Sequence, residues 1–187
     1  MATTDELIAS AKDKMGKSVE HARTEFSTVR TGRASSSLLD RIDVDYYGTP
    51  TPLKQLSTIS VPEPRMITVQ PFDPGSIKAI EKAIMESDLG LTPSNDGKLI
   101  RLPIPQLTEE RRKDLVKMVR AIAEEGRVAI RNVRRDIMHD LRELRDEGEV
   151  GADDEHRAEV ELQKLTDDRI AELDGLLKGK EAEILEV

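Results

Sequence analysis

Apolar residues return every three or four positions at the start of the chain, at Ile8, Ala11, Met15, Val19, Ala22, Phe26 and Val29. A mean step of about 3.5 gathers them into one narrow stripe on a helix, where a strand would scatter them. Thr3 and Glu6 stand at capping-box spacing, so the pattern predicts a helix over residues 3–29. Gly16 is its weak interior point, at roughly 1 kcal/mol relative to Ala. The period is lost at Arg30-Thr31-Gly32-Arg33 and returns after Pro105, the last proline in the chain. Thr108 then reads as an N-cap followed by Glu109 and Glu110. Leu115, Val119, Ile122, Ala129, Val133, Ile137, Leu141 and Leu144 form the next stripe, on a helix that should run to Glu147. A turn over residues 148–153 leads into a third helix, with Ala158, Leu162, Leu165, Ile170, Leu173, Leu177 and Ile184 on one side.

Between Thr31 and Pro105 the texture is different, and all nine prolines of the chain lie there, from Pro50 to Pro105. Ile42, Val44 and Tyr46 alternate with Asp43 and Asp45, the signature of a half-buried strand. Further strands are predicted around Ser57 to Val61, Met66 to Gln70 and Lys98 to Leu102, the last after the turn signal Asn95-Asp96-Gly97. Ser76 to Glu86 reads as a helix carrying Ile77, Ile80 and Ile84 on one face.

Single-striped helices of this length are not stable alone in water, and packing three together buries every stripe at once. The expected architecture is therefore an α+β chain of two domains. Residues 1–30 and 106–187 form an antiparallel three-helix bundle, and residues 31–105 form a small β/α/β domain inserted between the first two helices. The connections Thr31-Gly32-Arg33 and Leu102-Pro103-Ile104-Pro105 lie side by side if the insert leaves and rejoins the same end of the bundle, and they make a natural hinge.

Composition narrows the chemistry. Charged residues are 35% of the 187, aromatics are 2%, and there is no cysteine, which removes disulfides and thiolate metal sites. No apolar run is long enough for a membrane span, so a soluble cytoplasmic protein is expected. His21, His139 and His156 fall on three different predicted helices without metal-ligand spacing, and packed or solvated histidines account for them. Gly16-Lys17-Ser18 imitates the end of a phosphate-binding loop but lies in mid-helix, with Ala11 where the motif needs glycine. No catalytic residues, no cofactor and no metal are expected.

The net charge of −8 argues against a nucleic-acid partner until its distribution is considered. Arg111 to Arg145 holds eleven Lys or Arg against six Asp or Glu. At about 100° per residue, Arg120, Arg127, Arg131, Arg134, Arg135, Arg142 and Arg145 share an arc of about 100°, some 130° from the apolar stripe. A solvated helix face is the plainer explanation. Against it stand the exclusive choice of arginine over lysine and the presence of only Glu124 on that arc, both suited to phosphate contacts.

Longer motifs go further. Arg30-Thr31-Gly32-Arg33-Ala34-Ser35, Leu38-Leu39-Asp40, Tyr46-Tyr47-Gly48-Thr49-Pro50-Thr51-Pro52-Leu53, Asp88-Leu89-Gly90-Leu91, Ile100-Arg101-Leu102-Pro103, Leu107-Thr108-Glu109-Glu110-Arg111-Arg112-Lys113 and residues 127–136 occur in this order. Together they resemble the bacterial ribosome recycling factor family over essentially the whole chain. Ser36 departs from a proline common there.

The resemblance implies an L-shaped, hinged, monomeric protein of the ribosome recycling machinery. Such a protein binds ribosomal RNA of the large subunit after termination and, with elongation factor G and GTP bound by that partner, splits the ribosome. It also implies that Arg131, Arg134, Arg112, Arg30 and Arg33 face RNA. Arg127, Arg135, Arg120 and Arg142 rest on the helical-face argument alone. The competing reading is a helical adaptor or chaperone that holds a protein partner without RNA.

Overall fold

The computed structural model describes residues 3–186, so residues 1, 2 and 187 of the expected bundle segments lie outside the described residues. The chain divides into two compact units, one built from residues up to Arg30 with Glu110–Leu185, the other from Thr31–Glu109.

In the helical unit, α1 (Thr4–Thr28) opens with the expected capping box: Thr3 Oγ1 accepts from Glu6 N–H at 3.2 Å, and Thr3 N–H donates to Glu6 Oε2 at 2.8 Å. Its buried row is Leu7, Ala11, Met15, Val19, Ala22 and Phe26. Ile8, expected in that row, is half-buried, because steps of four back from Met15 and Ala11 arrive at Leu7.

The inserted unit begins with a 3-10 turn at Ser36–Leu39 and the strands β1 (Asp43–Tyr46) and β2 (Thr49–Pro52). These two form an antiparallel hairpin closed by Tyr47 and Gly48, both at positive φ (50° and 84°), as a type I′ turn demands. A short helix α2 (Leu53–Leu56) leads into β3 (Ser57–Glu63) and β4 (Met66–Pro71). Then come α3 (Ile77–Glu86), the two-residue β5 (Ser94–Asn95) and β6 (Ile100–Pro103). The second sheet is antiparallel in the order β3-β4-β6-β5. Ile67 and Val69 of β4, Ile100 and Leu102 of β6, and Ile77, Ile80 and Ile84 of α3 join Leu39, Val44 and Leu53 in one core.

The helical unit resumes with α4 (Glu109–Asp146) and α5 (Ala152–Leu185). The end of α4 is a Schellman motif. Gly148 at φ 75° donates to Arg145 C=O and Glu149 donates to Leu144 C=O, both at 2.9 Å. On α4 the buried row is Leu115, Val119, Ala123, Gly126, Ile130, Ile137, Leu141 and Leu144. Ile122, Ala129 and Val133, expected in the stripe, are half-buried at its rim. The small residues decide this: a Cβ at Gly126 would lie 2.8 Å from Leu173 Cδ2 on α5 and 3.5 Å from Ala22 Cβ on α1. Three helices therefore meet where one of them carries no side chain. The seam is rotated by about 30° toward the arginines relative to the sequence expectation.

Both connections of the inserted unit are tied to its own β3–β4 turn. Ala34 N–H donates to Pro64 C=O at 2.7 Å, and Ile104 N–H donates to the adjacent Arg65 C=O at 2.8 Å. Gly32 sits at φ 76°, and a Cβ there would stand 2.8 Å from Leu107 Cγ.

Candidate nucleic-acid interface

Helix α4 carries the cationic face, and α5 supplies its neighbouring acids. Arg120 Nε meets Glu181 Oε1 at 2.6 Å, and Arg127 Nη2 meets Asp174 Oδ1 at 2.6 Å. Arg142 Nε lies 4.0 Å from Glu159 Oε1, and Arg145 Nη1 contacts both carboxylate oxygens of Glu155 at 3.0 Å. The α5 partners descend in number as the arginines rise, the register of two antiparallel helices. Arg127 is the most enclosed of the ladder arginines, with a side chain 20% exposed, and it also binds Glu124 at 3.0 Å. Its pKa is raised above the ordinary arginine value, chiefly by the hydrogen bond to Asp174. At the end of the ladder, Glu155 is buried, and Arg145 holds it together with Asp146.

The ladder has a gap between Arg127 and Arg142. Arg131 reaches only Glu124 of its own helix, at 3.3 Å, and Arg135 only its neighbour Asp136, at 3.8 Å. Arg134 forms no ion pair among the described residues. In and beside this gap the helix surface is concave, along a groove lined by Arg134, Arg135, Met138, His139 and Arg142.

The remaining candidates are placed differently. Arg112 is half-buried, donates Nη1 to Leu185 C=O at 3.4 Å near the end of α5, and keeps an Nε without a partner among the described residues. Arg30 closes the first segment of the helical unit and is exposed; Arg33 is exposed in the inserted unit. The seven arginines of one sequence arc thus divide by partner, and the arc alone carried no sign of it. Met138 and His139 were not singled out as site residues, although both sit four positions after an arginine, the spacing that places side chains together on a helix.

Among the described residues, no cluster of His, Asp and Glu is arranged to hold a metal ion, and no helix is long and apolar enough to cross a membrane. The helical unit of this α+β chain thus presents Arg131, Arg134 and Arg135 along one helix with no ion-pair partner on the neighbouring helix among the described residues.

The profile of the family described as Ribosome recycling factor matches residues 22–185. A ribosome-recycling factor of Rubrobacter xylanophilus is 57% identical over 180 residues, covering 96% of this chain and 97% of its own. One from a Geobacillus species is 52% identical, covering 97% and 98%. Among solved structures, a solution structure of a ribosome recycling factor aligns over the whole of both chains with a TM-score of 0.75 at 43% identity. The T. thermophilus ribosome recycling factor, in a structure with the E. coli elongation factor G bound to the E. coli post-termination complex, aligns with a TM-score of 0.64 at 50% identity over 98% of this chain and all of its own. The chain belongs to the ribosome recycling factor family, a family of translation factors and not of enzymes.

Proposed function

We propose that this chain docks on the RNA of the large ribosomal subunit through α4 and, with elongation factor G and the GTP that factor binds, splits post-termination ribosomes in the cytoplasm. The observation that carries the reading is the gap in the α4–α5 ladder. Arg131, Arg134 and Arg135 are left without an acid from the neighbouring helix, at positions where phosphate oxygens can take that place. Arg30 and Arg112 add RNA contacts from the helical unit and Arg33 one from the inserted unit, while Arg127 contributes charge with its guanidinium already engaged by Asp174. Supporting this, a relative of 50% identity is seen with elongation factor G on a post-termination complex.

The two connections, Thr31-Gly32-Arg33 and Leu102-Pro103-Ile104-Pro105, act as the hinge about which the inserted unit moves, converging on the single Pro64–Arg65 turn. The test is subunit splitting of purified post-termination ribosomes, followed by light scattering. Splitting should require this protein, elongation factor G and GTP together. Splitting that is unchanged when this protein is left out contradicts the proposal.

A further inference from the structure

Along α4, Arg134, Met138 and Arg142 succeed one another at steps of four, and Arg135, His139 and Arg142 at steps of four and three. Residues so spaced are surface neighbours, so two adjacent rows converge on Arg142 and flank an open, shallow groove. Its polar side chains are poorly satisfied from within the molecule. Arg134 has no ion pair among the described residues, Arg135 stands 3.8 Å from Asp136, Arg142 stands 4.0 Å from Glu159, and His139 stands 3.7 Å from Glu143. Two arginines elsewhere on the same helix, Arg120 and Arg127, meet acids of α5 at 2.6 Å. Among the described residues, no acid neutralises Arg134, Arg135 or Arg142 at hydrogen-bond distance. The three guanidinium groups border one groove, so a single anion there can meet more than one of them.

We infer that this groove seats one phosphodiester of folded ribosomal RNA and extends the RNA-binding face two helical turns beyond Arg135. The unbridged phosphate oxygens are acceptors only, matching the guanidinium donors of Arg134, Arg135 and Arg142, and the imidazole of His139 has an N–H to give whatever its charge. Met138 lines the groove with an apolar surface and brings no strong competing acceptor. The inference rests on the RNA-docking reading and adds Met138, His139 and Arg142 to it.

The experiment measures affinity for isolated large ribosomal subunits across a salt series, with the full chain and four variants. Arg142→Gln should lower affinity about tenfold and make the log–log salt slope shallower by about one, the loss of one phosphate contact. Met138→Glu retains every cation but places a carboxylate in the groove, and it should weaken binding at least as much. Arg157→Gln, on α5 and outside the groove, removes the same charge and should leave the slope unchanged. Arg134→Ala reports on the docking reading itself. If Arg134→Ala weakens binding while Arg142→Gln and Met138→Glu behave like Arg157→Gln, the groove is not a phosphate seat and the inference falls alone. If none of the four changes binding, the docking reading falls with it. Thermal melts accompany each variant, and a folded Met138→Glu protein with wild-type affinity overturns the inference by itself.

Discussion

Arg134 and Arg145 lie on the same helix and carry the same side chain, yet their surroundings differ. Arg134 has no ion pair among the described residues, whereas Arg145 holds a buried carboxylate with two hydrogen bonds. Arg134→Ala and Arg131→Ala should therefore weaken large-subunit binding and shift unfolding free energy by little, Arg131 because it is exposed and Arg134 because, though half-buried, it breaks no ion pair among the described residues. Arg145→Gln should do the reverse, lowering the melting temperature by leaving Glu155 buried without its cation. Calorimetry beside a binding curve separates the two, and a stability loss at Arg134 with intact binding would reassign it to the fold. Asp96 supplies a pH prediction. Its carboxylate accepts from the Leu99 and Lys98 amides and from Arg101, which holds its pKa down at about 2. A carboxylate with a depressed folded pKa contributes stability that is fully present above its unfolded value near 4 and is lost as pH falls through about 2. The gap in melting temperature between wild type and Asp96→Asn should thus be widest above pH 4 and close toward pH 2. At this scale the sequence showed which arginines share a face but not which are engaged, because Asp174 and Glu181 are brought to Arg127 and Arg120 by helix packing and not by local spacing.

The helices of the helical unit were legible because their periods are long and uninterrupted, and the capping box at Thr3 fixed the first start. The rotation of the α4 seam was not legible, since it depends on Gly126 meeting Leu173 and Ala22 from two other helices. Gly126→Val should destabilise by about 1–3 kcal/mol through overpacking. Gly175→Ala, at a position on α5 where a Cβ meets nothing within 4 Å, should stabilise by roughly 0.5–1 kcal/mol from helix propensity. A Gly126→Val protein as stable as wild type in chemical denaturation would refute this placement of the seam. Strand β2 escaped the sequence reading because Pro50 and Pro52 argue against a strand. Both fall at the same parity opposite β1, so a single alternation can keep both missing N–H groups off the ladder. The preceding turn is just as unobvious, with Tyr47 at positive φ and the hydroxyls of Tyr46 and Tyr47 both on Asp73, 3.2 and 3.3 Å away.

For the whole molecule, the inserted unit announced itself through the loss of helical period after Arg30 and its return after Pro105. What the sequence could not show is that both connections fasten to the Pro64–Arg65 turn, since that requires the β3–β4 hairpin to exist first. Gly32→Val places a branched side chain at φ 76° and against Leu107, so it should perturb the first connection without touching α4. Large-subunit binding should persist while splitting with elongation factor G slows; equal splitting rates would remove the hinge from the account. The central claim, that α4 docks on phosphate, is tested most directly by the salt dependence of affinity for isolated large ribosomal subunits. With four to six arginines each neutralising a phosphate, the log–log slope should be on the order of −3 to −5. A slope near zero, with affinity unchanged in the Arg131→Ala and Arg134→Ala proteins, would contradict the account and leave a protein-binding adaptor in its place.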